Sequence, residues 1–359
     1  MKPIRISLYV CGAIAVAASG CDGCGGSDSS APGDASSDAG QTADTGGVVI
    51  TDAAPPDIAA IEAATADAAV PDAGESDVTI ADAHPVDGSA LDATATDATT
   101  GSLCAWDTPF DSVTEITELA SAVELRLSRD ELTGYFYQTT GTGAEDADIF
   151  VTHRTSLTLP FATPTVATDV GSTWFDGDPF LSADGLTVYL ESDRPGSLGE
   201  TDIFVGTRTD VTAAFSALVP VANVNSTTYD GTPYVSNDGS ELWLATNRAG
   251  SIDVYRAHAE GTGFGAAESV TELNSSASDE NNPVLMADGL TIYFASNRTG
   301  TSQVYVAHRA TMASAFGAPT VVSEVNSSDA NYPSWISADG CRLYITRFVA
   351  SHQYVATRH

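Results

Sequence analysis

Two periodic features of this sequence predict an all-β fold, a five-bladed β-propeller of four-stranded blades. A Ser-x-Asp-Gly turn, complete at 182–185, recurs along the chain, and its aspartates are spaced by 54, 54, 50 and 51 residues. A second anchor downstream of each turn steps by 54, 51, 50 and 50 residues. The first set is Asp130, Asp184, Asp238, Asp288 and Asp339, and the second is Asp148, Asp202, Asp253, Gln303 and Gln353. Matching periods define five copies of one repeat.

Each copy supplies four predicted strands. The run after the Asp-Gly turn mixes apolar, β-branched and aromatic residues, as in 186–190, which favours a strand over a helix. A further segment with a leading Phe lies between copies, at 161–170, 215–224, 264–273 and 316–325. Four-stranded units of about 40 to 50 residues bury both faces only when they stack around a ring.

The fifth copy has no such segment after it, but one precedes the first copy. Residues 110–119 begin with Phe110 and carry apolar residues at Val113, Ile116 and Leu119. We expect this N-terminal strand to complete the last blade and close the ring, because closure removes exposed sheet edges.

The repeat as a whole resembles a known family. The pattern Pro-x-x-Ser-x-Asp-Gly, an apolar strand, Ser-Asn/Asp-Arg-x-Gly and Asp-Ile-Phe/Tyr-Val is similar to the TolB-like, WD-type β-propeller repeat, over residues 105–359. Blades 2 and 4 match best, whereas blade 1 lacks the Gly and the Arg, and blade 5 has Thr346-Arg347-Phe348 in place of the Arg turn. The resemblance implies protein–protein contacts.

The N-terminus reads as an export signal. Residues 1–20 combine Lys2 and Arg5 with an apolar run too short to span a membrane. The following Ala18-Ser19-Gly20-Cys21 resembles a bacterial lipobox, with Ala18 in place of the more usual Leu, which implies diacylation of Cys21. The alternative is an ordinary cleavable signal with a free cysteine. We expect an exported protein, lipid-anchored on the periplasmic or cell-surface side of the bacterial envelope.

Residues 21–104 are predicted to be a disordered acidic tether rich in Ala and Asp. Low hydrophobicity with charge of one sign cannot offset the entropy lost on ordering. The formal charge of −34 for the whole chain argues against nucleic acid and anionic lipid as partners. The tether leads to the propeller, 105–359, which we expect to be monomeric.

Two cysteines flank the predicted ring closure. Cys104 precedes the closing strand and Cys341 follows the last Asp-Gly turn, positions that share one face of a propeller. We therefore predict a disulfide between them, in an oxidising compartment.

Residues that repeat in every blade are predicted to hold the fold. Arg194, Arg248 and Arg298 lie on equivalent turns, and we expect them to pair with nearby aspartates such as Asp176, Asp230 and Asp279, or Asp202 and Asp253.

Residues that single blades possess are better candidates for binding. The segment leading into blade 2, Trp174-Phe175-Asp176-Gly177-Asp178, joins aromatic rings to carboxylates, which suits a sugar or a peptide. The structural alternative is that Trp174 packs on a neighbouring blade. The candidate ligand-binding residues are Trp174, Phe175, Asp176, Asp178, Tyr229 and Tyr332.

Three classes of function are open from the sequence. The first is a binding or scaffold module for an envelope protein or glycan, since no catalytic motif, metal site or cofactor site is predicted. The second is a glycoside-hydrolysing propeller that uses carboxylates such as Asp178 and Glu191. Two carboxylates about 5 to 10 Å apart in an open funnel would favour this class. The third is a calcium-stabilised propeller with acidic loops such as 279–282.

Overall fold

The repeats fold as five antiparallel sheets that follow one another around a ring. The computed structural model describes residues 103–140, 147–348 and 351–359. Within them the predicted five-bladed β-propeller of four-stranded blades is confirmed. The signal peptide, Cys21 and the tether up to residue 102 lie outside the described residues.

Each blade is built from short antiparallel strands. Blade 1 comprises β2 (Val123–Leu127), β3 (Thr133–Thr139), β4 (Ala147–His153) and β5 (Thr165–Val166). Blade 2 comprises β6 (Asp176–Leu181), β7 (Thr187–Ser192), β8 (Asp202–Thr207) and β9 (Val219–Pro220). Blade 3 comprises β10 (Asp230–Val235), β11 (Glu241–Thr246), β12 (Asp253–Glu260) and β14 (Glu268–Ser269), with an additional β13 (Gly263–Phe264). Blade 4 comprises β15 (Glu280–Leu285), β16 (Thr291–Ser296), β17 (Gln303–His308) and β18 (Thr320–Val321). Blade 5 comprises β19 (Asn331–Ile336), β20 (Arg342–Arg347), β21 (His352–Thr357) and the N-terminal β1 (Ser112–Glu115).

The ring closes through the N-terminal strand, as predicted. β1 pairs antiparallel with β21, from Ser112 opposite Thr357 to Glu115 opposite Tyr354. The strand is shorter than the predicted segment because a single turn of 3-10 helix, Thr117–Leu119, follows it. Beside the closure, a disulfide joins Cys104 to Cys341.

The outermost strands of blades 1 to 4 are also much shorter than predicted, with two residues each. In four of the five segments the leading Phe lies outside the strand and packs beneath an Arg of the same blade, as Phe161 does beneath Arg154 at 4.4 Å from the ring centroid. The same stacking recurs for Arg208 with Phe215, Arg309 with Phe316 and Arg358 with Phe110. The planar guanidinium stacks on a ring while it donates hydrogen bonds, which a lysine ammonium cannot do. This accounts for the use of Arg at these four positions.

The two ends of the ring differ in their connections. One end, the turn face, carries the Asp-Gly turns between the first and second strands, where Gly185 has φ +72° and Asp184 accepts hydrogen bonds from Ser182 and the Leu186 N–H. The opposite end, the loop face, carries the segments that lead into each innermost strand and the loops between second and third strands. In the described part of the chain, no helix is long and apolar enough to cross a membrane.

Candidate functional site at the propeller axis

The innermost strands of the blades converge on the axis, and each is interrupted by a β-bulge. In four blades the residue at the bulge has a positive φ: Glu124, Asp178, Thr232 and Asn282. A bulge re-aims a side chain by disrupting the alternation of the strand. All four side chains are polar, and all four are buried.

Contacts between blades that are not neighbours show that these side chains meet over the axis. Asn282 of blade 4 donates a hydrogen bond to the carboxyl group of Glu124 in blade 1. Two residues beyond the bulge, Phe180 of blade 2 and Trp335 of blade 5 approach with ring centroids 6.2 Å apart. Tyr234 of blade 3 lies 4.7 Å from the Phe180 ring. The turn-face half of the channel is therefore filled by aromatic rings.

Arg126 occupies the same level of the channel in blade 1. Its guanidinium carbon lies 5.7 Å from the centroid of the Tyr234 ring, and the side chain is 1% exposed. None of its three nitrogens has a hydrogen-bond partner among the described residues. Burial lowers the pKa of this guanidinium, and the nearby Glu124 and Asp178 carboxylates oppose that effect.

Three carboxyl groups lie on the loop-face side of these aromatic rings and Arg126. They belong to Glu124, Asp178 and Glu191. Asp178 and Glu191 share a hydrogen bond between their side chains, and both are buried. The backbone N–H of Thr232 donates to Asp178, and the Tyr229 hydroxyl donates to Glu191 Oε2 at 3.4 Å. Glycine at position 231 leaves room for the Glu191 side chain. A Cβ at this position would lie 2.7 Å from Glu191 Cδ and closer still to its Oε2.

Burial raises the pKa of all three carboxyl groups. Desolvation is the largest cause for each, and the pKa values of Glu124 and Glu191 lie well above the ordinary glutamate value. The charge of Asp178 raises the pKa of Glu124 and Glu191 further, whereas Arg126 lowers those of Glu124 and Asp178. One guanidinium therefore does not compensate three carboxylates, and the cluster retains protons that exposed acids would release.

Aromatic rings surround the approach to these carboxyl groups from the loop face. We name as the aromatic collar the side chains of Tyr137, Phe175, Tyr229 and Tyr332. Phe175 meets the Tyr137 ring edge-on at 6.1 Å, and its own ring covers Gly177. The charges of Asp178 and Glu191 raise the pKa of the Tyr137 and Tyr229 hydroxyls well above the ordinary value, after the larger effect of burial. Tyr137, Phe175 and Tyr229 are half-buried, so the collar borders on solvent.

The structure brings together four of the six candidate ligand-binding residues. Asp178 lies in the carboxyl cluster, and Phe175, Tyr229 and Tyr332 belong to the collar. Tyr332 is more buried than the others, and its hydroxyl donates to Ser302 Oγ at 3.2 Å. Trp174 lies beside Phe175 on the loop face with 37% of its surface exposed.

Asp176 has a different environment. Its carboxylate is completely buried, pairs with Arg194 and accepts hydrogen bonds from Ser172 and Ser192, so its oxygens serve the blade. Arg248 pairs with Asp230 in the same way, at 2.5 Å. The partner of Arg298 is Glu280, at 3.2 Å, and not Asp279 as expected from the sequence. The chain position that aligns with Asp176 is residue 280, which explains the difference.

The acidic segment 279–282 also makes contacts that stabilise the propeller. Asp279 accepts a hydrogen bond from the Ile252 N–H, Glu280 accepts from the Ser275 N–H, and Asn282 faces the axis. Among the described residues, no group of three or more His, Cys, Asp or Glu side chains is arranged to hold a metal ion.

Sequence reasoning missed Glu124, Arg126 and Tyr137, all in blade 1. This blade departs most from the repeat, so the sequence pattern does not show which of its residues correspond to those of the other blades. The signal was present nevertheless. When residues 123–127 are aligned with residues 177–181, Glu124 corresponds to Asp178 and Arg126 corresponds to Phe180.

Comparisons with known proteins add likenesses of fold. No protein-family model and no curated protein matches the sequence. TolB from Acinetobacter baumannii is similar in structure, with a TM-score of 0.45 and 14% identity over 67% of this chain and 55% of that one. The chain thus spans little more than half the length of that TolB. An endo-arabinase from Bacteroides thetaiotaomicron VPI-5482 is similar with a TM-score of 0.48 and 13% identity, over 69% of this chain and 98% of the other.

Proposed function

We propose that this protein is a binding module of the bacterial envelope, whose propeller contacts a partner protein or glycan through its loop face. The observation that carries the proposal is the aromatic collar, half-buried at the loop face above three buried carboxyl groups. Large rings with a polar tip are the side chains that dominate binding surfaces.

The proposed location rests on the N-terminal sequence. A lipid on Cys21 would hold the chain at a membrane, and the tether 21–104 would let the propeller stand off by ~50 Å if it is a flexible coil. Replacing Cys21 with Ser tests this step. The variant should move from the membrane fraction to the soluble fraction of cells, and an unchanged distribution would contradict a lipid anchor.

A capture experiment tests the binding function. The full chain, immobilised through its C-terminus, should retain specific components of an envelope extract. The variants Trp174→Ala and Tyr229→Ala should retain them at a markedly lower level. Val321→Ala is the matched control, because Val321 is 50% exposed on an outer strand and away from the collar. Retention by Trp174→Ala and Tyr229→Ala at the level of Val321→Ala would place the contact elsewhere.

A second candidate, glycoside hydrolysis, is favoured by one specific observation. Asp178 and Glu191, named from the sequence, do lie together near the mouth of the channel with raised pKa values. Their direct hydrogen bond places them closer than the roughly 5 to 9.5 Å that glycosidase carboxyl pairs require, which is why we rank hydrolysis second. Turnover of chromogenic glycosides that is abolished by Glu191→Gln would reverse this order.

A further inference from the structure

We propose that the axis site binds an alkylammonium group, carried either by a lysine side chain of the partner or by a free polyamine. This inference rests on the proposed binding function and names the chemistry of the bound group. Three features of the site support it: its charge, its unpartnered acceptors and the rings around it.

The charge of the site is unbalanced. Glu124, Asp178 and Glu191 can carry three negative charges, and the guanidinium of Arg126 interacts with two of them, those of Glu124 and Asp178. Buried charges are stable only when paired, and otherwise the groups neutralise by taking up protons. A cation placed among the carboxyl groups would stabilise their ionised form.

Two buried oxygen atoms, one in this cluster and one on the residue whose backbone N–H binds Asp178, have no hydrogen-bond partner among the described residues. They are Oε2 of Glu124 and Oγ1 of Thr232, and both side chains are more than nine-tenths buried. A buried polar atom without a partner is costly, so a site for a donor is expected beside it. An ammonium group has three N–H donors and no acceptor, which matches a set of carboxylate and hydroxyl oxygens.

The collar distinguishes an organic cation from a bare metal ion. Calcium takes six to eight oxygen ligands and carries no apolar stem that could pack on aromatic rings. An alkylammonium group brings an apolar stem, which packs on rings, and a charge, which the faces of Tyr and Phe attract within about 6 Å. Tyr137, Phe175 and Tyr229 line the approach at which such a stem would lie.

Calorimetric titration of the full chain tests the proposal with three probes: N-acetyl-lysine amide, spermidine and the neutral N-acetyl-norleucine amide. Salt at about 0.15 M screens weak attraction to the acidic surface. We expect saturable binding of at least one amine and none of the norleucine compound. Tighter binding of the lysine amide would identify a partner side chain, and tighter binding of spermidine a free polyamine. Absence of saturable amine binding, or equal binding of norleucine amide, would overturn the proposal.

Three variants locate the binding. Glu191→Gln should weaken amine binding by about tenfold or more, since hydrogen bonds to charged groups are worth about 1.5 to 3 kcal/mol. Thr232→Val, which keeps the shape of the side chain, should also weaken it and decides the matter if Glu191→Gln fails to fold. Glu268→Gln makes the same substitution on an exposed outer strand and should leave the affinity within about twofold. Equal weakening by Glu268→Gln and Glu191→Gln would mean nonspecific attraction and would overturn the proposal.

The two proposals can fail separately. If partner capture depends on Tyr229 and no amine binds, the proposed binding module is supported and the proposed ammonium ligand is refuted. Amine binding without any captured partner would establish the site and remove the protein or glycan contact.

Discussion

Gly231 is the residue whose replacement tests the geometry of the axis site most directly. It lies on β10 of blade 3, directly beneath the Glu191 side chain of blade 2. A methyl group there would lie 2.7 Å from Glu191 Cδ and within clashing distance of the Tyr229 hydroxyl. Gly231 does not have a positive φ, so alanine can adopt its backbone conformation. The effect of Gly231→Ala is therefore steric.

The magnitude follows from two opposing terms. Overpacking a filled site costs about 1 to 3 kcal/mol. Alanine in place of glycine restricts the unfolded chain and returns about 0.4 to 1 kcal/mol. The free energy of unfolding of Gly231→Ala should thus fall by up to about 2.5 kcal/mol, and Glu191 should be pushed away from Asp178.

Urea unfolding monitored by tryptophan fluorescence measures this difference. Gly263→Ala is the matched control, because no atom lies within 4 Å of a Cβ at Gly263 and its φ is not positive. It should be neutral or more stable than the parent by up to about 1 kcal/mol. If Gly231→Ala is as stable as Gly263→Ala, the Glu191 side chain does not lie over Gly231.

Three further predictions concern the ring, the blades and the carboxyl cluster. Cys104→Ser/Cys341→Ser removes a cross-link between residues 237 apart in sequence and should lower stability by up to about 5 kcal/mol, seen as a lower melting temperature that dithiothreitol no longer changes. Arg194→Ala leaves Asp176 buried without its guanidinium and should cost about 3 kcal/mol in urea unfolding, while amine binding at the axis should persist. Because the pKa values of Glu124, Asp178 and Glu191 are raised in the folded state, their contribution to stability is full below the unfolded pKa of about 4.3 and is lost as pH rises through the folded values. The urea midpoint should therefore decline from about pH 4.5 towards pH 8, and Glu191→Gln should flatten that decline; an identical slope in the variant would contradict it.

The fold was predictable because the sequence pattern of one blade occurs five times along the chain. The Asp-Gly turns, the apolar runs and the closing strand after Phe110 each depend on local chemistry that recurs at a fixed period. The lengths of the outer strands were not predictable from the same pattern. A Phe that begins an alternating run also suits stacking beneath an Arg, as Phe161 shows, and only the tertiary contact distinguishes the two.

The site was predictable only in part, and for a physical reason. Phe175 and Asp178 are predictable because blade 2 departs from its sister blades there, and Tyr229 and Tyr332 are the single tyrosines at the entries of two other blades. Glu124 and Arg126 belong to the blade that matches the repeat least, and their role depends on contacts across the axis with blades 3 and 4. Such contacts join residues more than 100 positions apart, and no local pattern encodes them.

The backbone at the bulges gives an independent reason to regard the axis as functional. A positive φ costs a residue other than glycine about 1 kcal/mol or more. At the turn face the chain meets this requirement with glycine in four blades, at Gly185, Gly239, Gly289 and Gly340. At the bulges it uses Glu124, Asp178, Thr232 and Asn282, and glycine at none of these four positions. If the bulge served only to bend the strand, glycine would adopt the same backbone conformation at lower cost, so the polar side chains at the bulges are the features to test. The amine titration and the Thr232→Val variant provide that test.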